Sequence, residues 1–217
     1  MKLHLGCGQR YLDGYVNIDF PLDKHSAQKK SIADKHADIL KLNYGSKTIE
    51  EVRLHHVFEH FTRPVACALL VSWREWLVVN GKVDIEVPDF ERTARSVLSR
   101  FGSERQKRIG LRHIFGSNEE SWAVHYEGWT AGRMQLLLNS IGYDIDEIKK
   151  NDWKGTYNFE VIASKNGIKL SKAQYRKAII QYLSGFLVDD SAVEKEILKY
   201  WLNEYDDQIK KSWPKKG

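Results

Sequence analysis

The chain has 217 residues, 42% hydrophobic and 29% charged, with a formal net charge of +5. This composition suits a folded globular protein and excludes global disorder, and no apolar run approaches the roughly 20 residues that span a bilayer. The excess charge is spread out: residues 167–217 hold 10 basic and 7 acidic residues and the rest of the chain 24 and 22, so neither a nucleic-acid footprint nor a membrane surface is favoured.

Residues 2–5 read as a short strand that ends at Gly6-Cys7-Gly8, and residues 15–18 as a second, ended by Asp19. Residues 37–39 and 52–57 are expected as the third and fourth strands. Residues 64–79 carry Val65, Leu69, Trp73, Trp76 and Leu77 at helical spacing. Pro64 suits the first turn, and Asn80-Gly81 is expected to close the helix. Residues 82–87 alternate and form a fifth strand, stopped by Pro88. Strand and helix alternating in this way imply a parallel sheet covered by helices.

Beyond the fifth strand, residues 90–101 read as helical. Residues 103–128 are rich in Arg, His, Trp and Gly and read as a lid or insertion. Residues 130–141 form a helix with Thr130 as N-cap and Gly142 as C-cap. Residues 143–148 and 157–164 make a terminal pair of strands, followed by amphipathic stretches at 171–186 and 191–212. The last carries an apolar stripe of Ile197, Leu198, Trp201, Leu202, Tyr205, Ile209 and Trp213. That stripe is expected to dock on this domain or on a second copy in a homodimer.

Chemistry concentrates at the first glycine turn. A strand running into G-x-G lets backbone approach a ligand closely. Asp19 closes the next strand eleven residues past Gly8, where a carboxylate can accept hydrogen bonds from vicinal ribose hydroxyls. The dinucleotide pattern itself is absent: Tyr11 stands where a third glycine belongs, and the crossover from Leu5 to Tyr15 leaves room for no more than a vestigial helix.

Four segments together resemble the class I S-adenosylmethionine-dependent methyltransferases, closest to a compact bacterial group. They are Leu3-His4-Leu5-Gly6-Cys7-Gly8, Gly14-Tyr15-Val16-Asn17-Ile18-Asp19, His56-Val57-Phe58-Glu59-His60 and Val87-Pro88-Asp89-Phe90. The resemblance covers about residues 2–164. It implies an α/β, Rossmann-like, mostly parallel seven-stranded sheet with an antiparallel last strand. With the readings above, the chain is expected to divide into a domain over 1–166, with a lid at about 102–128, and a helical extension over 167–217.

The resemblance implies S-adenosyl-L-methionine as cofactor. Gly6 and Gly8 would line its methionine end, with Cys7 counted in the same cofactor-binding loop as a small packed thiol rather than a nucleophile. Asp19 would bind the ribose, Asp38 would lie near the adenine with Ile39 against the ring, and His56 would face both the methionine moiety and the acceptor. His56 and then His125 are the catalytic candidates for a general base. The acceptor is expected to be a small molecule or a sugar.

Competing readings use the same residues. His56, Glu59 and His60 spell H-x-x-E-H, a zinc hydrolase pattern that needs both histidines on one helix. The β-like run at 52–57 and Pro64 oppose that helix, and no metal is expected. A non-catalytic nucleotide-binding protein of the same fold and a nucleic-acid methyltransferase would also carry the glycine turn and its acid. His55 is expected on the strand face opposite His56 in a structural role, and Glu59 as an orienting group. Arg112 and His113 are expected on a solvated face, and Trp73 and Trp76 in the core. His125 and Tyr126 are expected at a pocket lip. Two unpatterned cysteines, Cys7 and Cys67, and the lack of an N-terminal apolar leader place the expected site of action in the cytoplasm.

Overall fold

A computed structural model describes residues 1–24 and 30–215. Seven strands form one sheet in the order β3-β2-β1-β4-β5-β7-β6. They are β1 (Lys2–Leu5), β2 (Tyr15–Asp19), β3 (Lys35–His36), β4 (Ile49–His55), β5 (Leu77–Pro88), β6 (Tyr143–Trp153) and β7 (Thr156–Lys165). β1 to β5 pair in parallel, whereas β7 runs antiparallel to both β5 and β6. This is the doubly wound, Rossmann-like sheet expected, and its order reverses between β1 and β4, where α/β sheets open a crevice.

The central strands are apolar on one face, while Arg53, His55, Asp84 and Glu86 alternate on the other. Val52 and Leu54 of β4 and Val83, Ile85 and Val87 of β5 are fully buried. The β6–β7 hairpin turns on Lys154 and Gly155, both at positive φ, which matches the twist of the flanking strands.

Helices α1 (Arg63–Trp76), α2 (Phe90–Leu98), α3 (Glu104–Phe115), α4 (Ala131–Ser140), α5 (Lys172–Ser184) and α6 (Ala192–Ser212) complete the described chain. Thr130 caps α4 by accepting from the Arg133 N–H, and Gly142 follows at φ +86. Helix α1 is buried over nearly its whole circumference, including Trp73 and Trp76. Its outer side is covered by α6: the Ser72 and Ser212 hydroxyls meet at 2.8 Å, and the Trp76 indole N–H donates to the Ser212 carbonyl at 2.9 Å. The apolar stripe of α6 is thus packed against its own chain. No helix among the described residues is long and apolar enough to cross a membrane.

Two local expectations are corrected. Asn80-Gly81 does not cap a helix. Helix α1 stops at Trp76, where β-branched Val78 and Val79 carry the chain into β5. Residues 78–81 form a bulge between the Ile49–Leu77 and Glu51–Lys82 pairs. The third strand is Lys35–His36; Ile39 begins a 3-10 turn instead. Residues 104–115 form helix α3, capped by Ser103 and Gln106 in a reciprocal capping box.

No helix intervenes between β1 and β2. The buried Asn17 side chain holds that short crossover: its Oδ1 accepts the Leu12 N–H at 3.0 Å and its amide donates to the Leu12 carbonyl at 3.1 Å.

Candidate functional site

The loops after β1, β2, β3 and β4 surround a cavity of about 380 Å³ at the carboxyl end of the sheet, within the ordinary range for small-molecule sites. Gly6, Gly8, Asp19, Asp38, Ile39 and His56 all line it. Six of the seven cofactor-binding positions expected from the sequence are therefore brought to one space.

Gly6 and Gly8 have φ of +65° and +54°. A Cβ at Gly6 would sit 2.4 Å from Cγ2 of Val57, so the β1 turn and the β4 turn approach too closely for any other residue. The Gly8 N–H donates to Asp19 Oδ2 at 2.9 Å, and the Phe20 N–H donates to Oδ1 at 2.8 Å. The two bonds fix the plane of the carboxylate in the cavity wall. Asp38 uses Oδ1 to cap the turn at Ile39–Lys41, accepting the Leu40 N–H at 2.9 Å, and Ile39 presents an apolar wall beside it.

Cys7 is the small packed thiol expected, although it is not among the cavity-lining residues of its loop. Its N–H is spent on the Ile18 carbonyl, and its side chain is 3% exposed. Burial and the nearby Asp19 charge push its thiol up to about 11. It packs the loop from behind, as a small inert side chain does.

His56 stands one residue beyond β4 with φ +56°, the conformation that turns its ring out of the strand register. Nε2 lies 3.1 Å from Glu86 Oε1, and Nδ1 lies 3.5 Å from Glu59 Oε1. Burial works against its charge, but the two carboxylates outweigh that and raise the pKa to about 10. Glu86 falls to about 2, chiefly through the His56 bond. The two carboxylates favour the charged ring, whereas a general base needs the neutral one.

A second, wider cavity of about 1020 Å³ adjoins the first, sharing His56, His60, Glu119 and Trp122 with it. Glu59, Glu86, His113 and His125 add to its wall. The segment after α3 is stitched across this wall, since the Tyr126 and Glu127 N–H groups both donate to the Glu59 carbonyl. His60 Nδ1 faces the Val124 carbonyl at 3.1 Å, and His125 Nδ1 faces the His113 carbonyl at 3.1 Å. Burial lowers the pKa of both His113 and His125. Tyr126 lines neither cavity, and His113 is half-buried in the wall, its Nε2 3.0 Å from the Tyr157 carbonyl, rather than on a solvated face.

The H-x-x-E-H pattern is not helical. His56 follows a strand, and Glu59 and His60 lie on a 3-10 turn at Phe58–His60. His55 has a separate life: it bonds Asp84 at 3.1 Å within a cluster that contains Arg53 and Glu160. Phe61 and Trp122 line the inner cavity without having been singled out. Nothing in the local pattern marks Phe61. Trp122 lies in the aromatic-rich insertion, and its ring approaches Phe20 at 6.2 Å.

No sequence-family model matches the chain, and no curated protein matches it by sequence. Solved structures do. A SAM-dependent methyltransferase from Methanosarcina mazei superposes with a TM-score of 0.50 at 12% identity, covering 76% of this chain and 92% of the other. A structure of the Haloferax volcanii Trm112 methyltransferase activator in complex with a methyltransferase gives a TM-score of 0.53 at 10% identity, covering 78% and 83%. At such identities the likeness establishes the fold, a Rossmann-like methyltransferase fold.

Proposed function

We propose that this chain is an S-adenosylmethionine-dependent methyltransferase acting on a small-molecule acceptor. The observation that carries the reading is the Gly8–Asp19 hydrogen bond between the ends of β1 and β2, beside the switch point of the sheet. It ties the glycine turn to the one acidic group suited to a ribose, in the wall of the 380 Å³ cavity. Gly6 and Gly8 would border the methionine end, Asp19 would accept from the ribose hydroxyls, and Asp38 and Ile39 would flank the adenine. Residues 1–166 would form the catalytic domain, with 102–128 as its lid and 167–217 as a buttress behind α1.

The wider cavity takes the acceptor in this reading. A sulfonium methyl is already activated, so alignment of acceptor, methyl carbon and sulfur supplies most of what the protein must add. His56 stands where both cavities meet and acts as a positioning cation held by Glu59 and Glu86. His125 lies in the acceptor wall beside it. Incubation with methyl-labelled cofactor and a panel of hydroxylated small molecules, followed by mass spectrometry, tests this. Labelled product with equimolar S-adenosylhomocysteine is expected. Unmethylated products from a chain that also fails to bind the cofactor would contradict it. His56→Ala should lower kcat at least tenfold while cofactor affinity survives; unchanged turnover would remove His56 from the mechanism.

A further inference from the structure

We propose that Glu59, His60 and His125 form a binding site for a divalent first-row transition metal ion of the zinc class, open to the wider cavity. The Glu59 carboxylate is 1% exposed, and neither of its oxygens has a hydrogen-bond partner. The nearest nitrogens are His56 Nδ1 at 3.5 Å, on a ring that Glu59 shares with Glu86, and His125 Nε2 at 3.9 Å. One imidazolium shared between two carboxylates leaves Glu59 buried and without a hydrogen bond, a setting that favours a further cation.

The two histidines are set up to supply the remaining ligands. Each directs Nδ1 at a backbone carbonyl, which can only accept, so Nδ1 carries the proton. That leaves Nε2 as the nitrogen with a lone pair, and a carbonyl behind the ring is how metal-binding imidazoles are oriented. One ligand atom from each of the three residues lies within 4.8 Å of the others. Ligands about 2.0–2.1 Å from a tetrahedral centre stand roughly 3.3 Å apart, so shifts on the order of 1 Å close the site. The backbone is already fixed, because the segment after α3 forms a strap whose Tyr126 and Glu127 N–H groups donate to the Glu59 carbonyl.

The donor set chooses the ion. Two imidazoles and a carboxylate suit zinc and its neighbours, whereas calcium and magnesium seek oxygen ligands. A second group of three, His55, Asp84 and Glu160, makes a useful contrast. There Asp84 is already hydrogen-bonded to Arg53 and His55, so that carboxylate is not left unbonded. The site also differs from the H-x-x-E-H reading, because His125 takes the place of His56. No local pattern announces it: His125 lies far downstream, and only the strap returns it to the turn.

Positions left open on the ion face the wider cavity and would hold a hydroxyl oxygen of the acceptor, whose proton leaves to solvent on coordination. The oxygen lone pair then forms the new O–C bond as the C–S bond breaks, its electron pair going to sulfur to give S-adenosylhomocysteine. This use of the ion rests on the methyl-transfer reading; the ion site does not.

The test is metal content of the full, tag-free chain after equilibration with Zn2+ and gel filtration. About one equivalent is expected for the native chain, and less than one fifth of that for Glu59→Gln and for His125→Ala. Cobalt substitution of the native chain should give visible d–d absorption, which needs no variant to fold. Equal zinc in the native chain and E59Q, or a colourless cobalt protein, overturns the site. S-adenosylhomocysteine binding is measured on the same samples. Metal retained without cofactor binding supports the ion site and removes methyl transfer, and cofactor bound without metal overturns the ion site alone.

Discussion

The Gly8 N–H and Asp19 Oδ2 are 2.9 Å apart, although eleven residues separate them in the chain. The bond joins the ends of two parallel strands across a crossover without a helix. It makes the carboxylate a fixed acceptor at the cavity wall. Asp19→Ala should therefore weaken S-adenosylhomocysteine binding by about 1–3 kcal/mol, or roughly 5- to 150-fold, through lost charge-assisted hydrogen bonds. Calorimetry is the check, and undiminished affinity would exclude Asp19 from ribose recognition.

The two glycines of the turn should differ in kind. Both have positive φ, and an alanine there costs about 1–2 kcal/mol in strain. At Gly6 the new Cβ would also meet Val57 at 2.4 Å, while at Gly8 nothing lies within 4 Å. Gly6→Ala should cost a further 1–3 kcal/mol, about the penalty for overpacking. Thermal unfolding should rank native, Gly8→Ala and Gly6→Ala in falling order of Tm, and the reverse order of the two variants would refute the close approach of the turns.

Arg74 ties the sheet to the C-terminal helices. It is 1% exposed, donates to the Gly142 carbonyl at 2.8 Å and to Asn166 Oδ1 at 2.9 Å, and contacts the Tyr175 hydroxyl. Removing it strands these buried acceptors. Arg74→Met should destabilise the chain by about 3 kcal/mol in denaturant unfolding. A loss under about 1 kcal/mol would show that the extension is held by apolar packing alone.

Acid should act through Asp84. Burial opposes its charge, but His55 and Arg53 outweigh this and hold its pKa below the ordinary carboxylate value. Glu160 beside it is raised by burial and by the Asp84 charge, so it takes up a proton first. A carboxyl with a lowered folded pKa stabilises fully above its unfolded pKa and loses that contribution as pH falls through the folded value. Asp84→Asn should lower stability by about 3 kcal/mol at neutral pH, with the gap to the native chain narrowing below about pH 4. A gap that stays constant down to acid unfolding would contradict the cluster.

Strand ends were legible because their chemistry is local. Gly6, Gly8, Asp19 and His56 each end or follow a strand, and each reaches the cavity. The bulge at Asn80-Gly81 was not legible, since the same dipeptide caps helices equally well; only pairing with Ile49 and Glu51 decides the matter. Helix α3 was hidden by its polar sequence, although Ser103 and Gln106 carried a readable capping box. Cys7 shows the limit of position: adjacency to two cavity glycines did not place its side chain in the cavity. The meeting of His60 with His125, whose rings are 4.8 Å apart, depends on a long-range strap that no local pattern reveals.

The central claim is that the inner cavity holds one adenosyl sulfonium cofactor. Titration calorimetry with S-adenosylhomocysteine tests it most directly, paired with thermal unfolding of the same samples. The account predicts saturable one-to-one binding and a rise in Tm that grows with ligand concentration, both reduced in Asp19→Ala. A folded protein that gives no binding heat and no change in Tm up to millimolar ligand would contradict it.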